Sequence, residues 1–156
     1  MKNQEIIHQW SVICDKSLIE QNSNLLSLLN ITEGITVSNL AKDGKKIELK
    51  DLSDKEKVSI SKEMSYVTMW RRNVFSGDLI KKEIRLEWIS PKGTMLLNTV
   101  SVLNMEKDIK NLRMIFNFNT LVITVPGTYV MRLSLRELQE KNFSIIVDTP
   151  VDVKVV

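Results

Sequence analysis

The chain is 156 residues long, the length of one domain, with 43% hydrophobic and 26% charged residues. That balance excludes intrinsic disorder, and 5 Gly, 3 Pro and 1 Cys exclude collagen-like and disulfide-scaffold chains. A net charge of +3, with lysines interleaved among acids as in Lys55-Glu56-Lys57, is too weak and too dispersed for an ordinary nucleic-acid binder. One alanine, Ala41, stands against 16 Ile and 15 Val. Alanine favours helices and β-branched side chains favour strands, so composition alone points to an all-β protein.

In chain order, the first strand is expected over residues 6–18. A second, over 25–31, pairs with it across the turn-rich Gln21-Asn22-Ser23-Asn24. Strands follow at 35–40 and 47–49, separated by a turn ending in Asp43-Gly44. Residues 51–57 are charged and carry the Ser53-x-x-Glu56 spacing of a capping box, which predicts a helical turn capped by Ser53 or Asp54. A strand over 64–75 leads through Ser76-Gly77-Asp78 to the clearest alternation in the chain, 83–88. There Ile84, Leu86 and Trp88 face one side and Glu83, Arg85 and Glu87 the other. Ser90-Pro91-Lys92-Gly93 turns the chain into a strand over 95–105, and residues 106–112 could hold one helical turn. Residues 113–119 alternate with Met114, Phe116 and Phe118 inward, and Ile115 breaks the polar outer row. Strands over 121–125, 129–136 and 143–148 and an alternating tail of Val151, Val153 and Val155 complete the set. The charged connection 136–142 is longer than a tight hairpin needs. Many short strands with turns at this spacing predict a single antiparallel β-sandwich of about eight to ten strands over residues 1–156, immunoglobulin-like in form.

Two stretches carry a resemblance. Near the start the chain reads Cys14-Asp15 and then Ser27-Leu28-Leu29-Asn30-Ile31. Near the end it reads Pro126-Gly127-Thr128-Tyr129, and then Pro150 ahead of an apolar strand. The chain resembles a family of small bacterial and phage β-sandwich proteins known only as a domain of unknown function. The resemblance implies an immunoglobulin-like sandwich and transfers no catalytic residue. The Ile, Lys and Asn richness with scarce Ala fits the same bacterial or phage origin.

The chemistry-bearing residues are few. A structural zinc site needs about four Cys or His ligands, and the chain has only His8 and Cys14. In a regular first strand His8, Trp10, Val12 and Cys14 share a face. Residues six apart lie about 20 Å apart along a strand, so His8 and Cys14 cannot act as a nucleophile pair. No Gly-x-Ser-x-Gly elbow, P-loop or Gly-x-Gly-x-x-Gly sequence occurs. Asp51 with Asp54 and Asp148 with Asp152 are the nearest carboxylate clusters, and neither has a recognised calcium-ligand or catalytic spacing. No catalytic, cofactor-binding or metal-binding residue is therefore assigned, no cofactor is expected, and the chain is read as a non-enzyme.

The candidate binding residues are Trp10, as an interface anchor, and Arg71, Arg85 and Arg132, as a basic patch on one sheet face. Trp10, Trp70 and Trp88 could together form an aromatic platform, but Trp88 falls in a core register. The function expected is a protein-binding or assembly module, acting on a protein partner or on itself. The alternative is a module binding a nucleotide, nucleic acid or glycan; a third possibility is an enzyme with an unfamiliar carboxylate site. The N-terminal residues lack the apolar run of a secretory signal, and no apolar run reaches the roughly 18 residues of a membrane helix, so a cytoplasmic location without membrane association is expected.

Overall fold

Period-two alternation of β-branched and aromatic residues produces the strands, and burying their apolar faces produces two sheets. The computed structural model describes residues 5–21, 23–38, 41–42, 45–46, 56–73 and 78–155. The strands are β1 (Ile6–Ile19), β2 (Leu26–Ile31), β3 (Gly34–Val37), β4 (Ala41–Lys42), β5 (Lys45–Lys46), β6 (Val58–Arg72), β7 (Ile80–Ile89), β8 (Met95–Met105), β9 (Asn111–Ile123), β10 (Gly127–Glu137) and β11 (Ser144–Val155). Four strands form one sheet in the order β2-β1-β6-β9, and five form the other in the order β3-β11-β10-β7-β8. β4 and β5 make a separate two-stranded ribbon. All pairings are antiparallel except β3 with β11, and both sheets are strongly curled.

The predicted strands at 6–18, 25–31, 95–105 and 129–136 are found nearly as expected. Two expected breaks do not exist. Residues 113–119 and 121–123 belong to the single strand β9, which ends before the expected Thr124 and Val125, and β11 runs straight through Pro150. The Asp152 amide donates to Glu33 O across the β3 side, so by alternation the missing N–H of Pro150 also faces that side, where β3 does not reach. A proline is tolerated there because no ladder bond is lost. The expected strand at 47–49, residues 51–55 of the expected helical turn at 51–57 and the carboxylates Asp51 and Asp54 lie outside the described residues, and the described residues 56–57 are not helical. At 106–112 there is only a turn, closed by Ile109 N donating to Glu106 O, before β9 begins. The long 136–142 connection does join a paired hairpin, with a bulge between Leu133 and Ser134 absorbing the irregularity.

The core lies between the sheets. Met64, Tyr66 and Trp70 on β6 and Leu121 and Ile123 on β9 meet Ile84, Leu86 and Trp88 on β7, Tyr129, Met131 and Leu133 on β10, and Val151 and Val153 on β11. Trp88 and Tyr129 stack with ring centroids 4.9 Å apart. Their polar tips reach the facing sheet and its exit: Trp88 Nε1 donates to Val122 O at 2.8 Å, and Tyr129 Oη accepts from Thr124 N at 2.7 Å while donating to Val125 O at 2.8 Å.

One end of the core between the two sheets is closed by Arg72. Its side chain is buried, and its guanidinium donates to four backbone carbonyls, those of Asp78, Met105, Glu106 and Ile109, at 2.9 to 3.2 Å. Lys82, also buried, pairs with Glu5 at 3.0 Å and with Glu137. Burial works against its charge, yet the hydrogen bonds and charges of Glu137 and Glu5 outweigh burial and hold its pKa above the ordinary lysine value.

Candidate functional site

The four candidate binding residues fall on two different faces. Trp10 and Arg71 lie on the outer face of the four-stranded sheet, where Trp10 sits opposite Met69 and Arg71 opposite Ile7. Arg85 and Arg132 lie on the outer face of the five-stranded sheet. The expected patch around Arg71, Arg85 and Arg132 is therefore not assembled. Arg71 is exposed, Trp10 is half-buried, and Trp70 and Trp88 are core residues, so the three tryptophans form no common platform. Arg72 is unavailable to any ligand because its donors already serve the loop carbonyls.

Arg85 and Arg132 are also engaged. Arg132 grips Asp148 through two bonds of 2.8 Å, which holds that carboxyl below the usual carboxylate range. Arg85 pairs with Glu87 at 3.2 Å, and Arg136 pairs with Glu83. The guanidinium groups of Arg85 and Arg136 both lie over the Phe143 ring, at 4.3 and 4.4 Å from its centroid. Alternating charges on β7 and β10 thus neutralise one another, and this face presents no excess positive field.

His8 and Cys14 do not share a face. The β1–β6 register shifts between His8 and Trp10, and this bulge turns His8 inward beside Trp70 while Trp10, Val12 and Cys14 stay on the outer side. His8 Nε2 lies 2.7 Å from Ser11 Oγ, and its ring meets Trp70 edge-on at 5.2 Å. Burial lowers the His8 pKa below its ordinary value, and burial with the Asp15 charge raises that of Cys14, so Cys14 is an inert thiol. A histidine held neutral in the fold binds its proton more readily when unfolded. Stability is then full above about pH 6.5 and falls as pH drops toward the folded pKa. Urea midpoints measured from pH 7.5 to 5 should decline for the natural chain and flatten in His8→Asn; equal slopes would refute this assignment.

The largest concentration of exposed apolar side chains is on β1 and β2. Of the twelve large hydrophobics exposed among the described residues, five lie on these strands, Ile7, Leu18, Ile19, Leu29 and Ile31, and Leu25 directly precedes β2; Leu25 and Ile31 are 63% and 64% exposed. β1 pairs with β6 only as far as Cys14; beyond it the strand continues with β2 alone as a hairpin. Polar contacts tie this hairpin to the sheet. Lys62 Nζ lies 2.6 Å from Asp15 Oδ1, Asn30 also donates to Asp15, and Arg113 donates to both oxygens of Asn24 at the hairpin turn. The Lys62 bond holds the Asp15 carboxyl below the carboxylate range. Asn24 and Asn30 both adopt positive φ, at 54° and 53°, a conformation asparagine tolerates better than most residues. The periodicity of 25–31 made these residues legible as a strand but gave no sign that their apolar side chains stay in water.

A cleft of about 410 Å³ opens where the chain leaves the first sheet for the second. It is lined by Ser11, Thr32, Glu33, Thr149 and Asp152 and by apolar residues including Ile31 and Pro150. Asp152 accepts from Thr128 Oγ1 at 2.7 Å. No group of three or more His, Cys, Asp and Glu residues suited to a metal ion is found among the described residues.

No protein-family model matches the chain, and no curated protein matches it. The resemblance to the bacterial and phage family carries only as far as an all-β fold of two curled sheets.

Proposed function

We propose that the chain is an immunoglobulin-like domain working as a non-enzymatic protein-binding or assembly module in the bacterial or phage-infected cytoplasm. Three features favour the immunoglobulin-like reading. β1, β6 and β9 follow the order of strands A, B and E in one sheet, and β11, β10 and β7 that of G, F and C in the other. Trp88 occupies the place of the core tryptophan of strand C. Tyr129 bonds back to Val125 O from the start of β10, as in a tyrosine corner.

The observation that carries the binding role is the exposed apolar side of the β1–β2 hairpin. Monomeric proteins scatter exposed apolar residues singly, whereas a cluster on one element marks an interaction surface. Leu29 and Leu25 are both well exposed, so charging them leaves the core intact. The double variant Leu25→Lys/Leu29→Lys should keep the natural melting temperature but lose a partner that the natural chain retains in pull-downs from its source cells. Equal retention by both forms would overturn the reading.

A second reading follows from the cleft. Glu33 in its lining disfavours anionic nucleotides, while the hydroxyl-bearing Ser11, Thr32 and Thr149 suit a glycan hydroxyl network. Titration with oligosaccharides, followed through amide shifts at Thr32, Glu33 and Thr149, tests it; absence of shifts removes it.

A further inference from the structure

We propose that β8 is a self-pairing edge, joining two copies of the chain into one continuous ten-stranded sheet through an antiparallel β8–β8 contact centred on Ser101. This deepens the assembly reading by naming the partner as a second copy. β8 ends the five-stranded sheet and, among the described residues, pairs only with β7, so one side of its backbone has no ladder partner among them. Exposed edges are ordinarily blunted by charge, proline, bulges or shortness. The other edges of the two sheets have such features. β3 has four residues, β2 has six and includes Asn30 at positive φ, and β9 carries Arg113 with the hairpin turn bound to it. β8 runs eleven residues, Met-Leu-Leu-Asn-Thr-Val-Ser-Val-Leu-Asn-Met, with no charge, proline or glycine in a chain that is 26% charged. On its outer face Val100 and Val102 are 49% and 46% exposed. An interface core is depleted of charge in the same way.

The occupant follows from register. An edge of unpaired N–H and C=O groups takes an extended strand, and the two-fold axis of a homodimer restricts how β8 can meet itself. Directly opposed residues must share a face, so the axis passes through a residue. Centred on Ser101, Val100 meets Val102 of the second copy, and Asn98 meets Asn104. The charges one strand inland then alternate correctly. Val100 neighbours Arg85, Val102 neighbours Glu83, Asn98 neighbours Glu87 and Asn104 neighbours Lys81. Each outer row across the dimer therefore ends in opposite charges, Arg85 with Glu83 and Glu87 with Lys81. Centred on Val100 or on Val102, the same rows end in like charges. Centres on Thr99 or Leu103 also oppose unlike charges, but only the Ser101 centre sets Val100 against Val102. Charge therefore excludes the even-numbered centres and valine contact selects Ser101; at about 14 Å between the two β7 strands the charge pairs are partly screened, and backbone bonds and valine contacts hold the dimer.

Light scattering on the eluting full chain should give a dimer that Val102→Lys converts to monomer, since the new charge would sit beside the second copy's Val100 and Arg85. Val102→Thr, which adds no charge, should remain dimeric. Register is read by cross-linking, with Cys14 buried and silent. Val100→Cys mixed with Val102→Cys should oxidise to a disulfide dimer, whereas either variant alone should not, its own copies lying about 8 Å apart. Efficient cross-linking of Val100→Cys alone would overturn the register. A natural chain that is monomeric throughout overturns the self-pairing. If that monomer still retains a partner through the hairpin, the protein-binding reading stands; if it retains none, both fail.

Discussion

Arg72→Met should lower the unfolding free energy by about 3–5 kcal/mol, read as a shift of the urea midpoint at unchanged slope. The methionine can fill the space of the arginine stem, so the loss isolates the guanidinium. That group serves the carbonyls of Asp78 in the β6–β7 connection, of Met105 at the end of β8, and of Glu106 and Ile109 in the β8–β9 connection. Without it, four acceptors at a closed sandwich end lose a charged donor, and a buried acceptor left unpaired costs about 1–3 kcal/mol before the loop rearranges to reach water. The backbone of the same residue also donates to Lys110 O at 2.8 Å, so the β8–β9 turn is held by Arg72 twice. Hydrogen exchange should accordingly speed up first at the amides of 78–80 and 105–111, as a local opening, while β10 and β11 stay protected. Arg72→Lys should recover only part of the loss, because a lysine has three donors on one atom and cannot span carbonyls approached from separate guanidinium nitrogens. A loss below about 1 kcal/mol for Arg72→Met would mean that the loops are held by their own turns.

Arg72 also shows where reading the sequence stops. In a strand, Arg71 and Arg72 must face opposite ways, and that much is legible. Which of them faces inward depends on the parity of Tyr66 and Trp70, which the aromatic spacing supplies. That the inward one meets carbonyls 33 to 37 positions away depends on two loops arriving at the same sandwich end, and no local pattern records that. The β7 alternation was legible for the opposite reason: Ile84, Leu86 and Trp88 each read their burial from immediate neighbours. His8 is the intermediate case. Its strand was clear, but one bulged residue at Gln9 moves it to the face opposite Trp10, and a bulge leaves no mark on an apolar-polar pattern. The binding candidates failed to assemble because charge and aromaticity say nothing about which sheet a strand joins. Arg85 and Arg132 share one sheet with their neutralising acids, whereas Trp10 and Arg71 share the other.

Trp88→Ala should cost about 3–5 kcal/mol, the range for emptying an aromatic site in a close-packed core. Trp88 is fully buried, and its removal acts on both sheets at once. On its own sheet it sits opposite Met131 and Leu97. Toward the facing sheet its indole N–H supplies the Val122 carbonyl at 2.8 Å, and within its own sheet its ring face stacks on Tyr129 of β10. Tyr129 in turn fixes the β9–β10 exit by accepting from Thr124 N and donating to Val125 O. Tyr129→Phe keeps the stack and removes only the hydroxyl's bonds, these two and a longer one of 3.3 Å to Thr124 Oγ1, so about 1–3 kcal/mol is expected from the Thr124 amide and Val125 carbonyl left unpaired. The two residues are coupled through the stack, and the double variant Trp88→Ala/Tyr129→Phe should fall short of the sum of the singles by about 0.5–1.5 kcal/mol. Strict additivity would mean that the stack does not couple the two residues. Both singles should leave hairpin binding unchanged at temperatures where they stay folded, because Leu25 and Leu29 lie on the far sheet's outer hairpin, tied down through Asp15 and Arg113 rather than through Trp88.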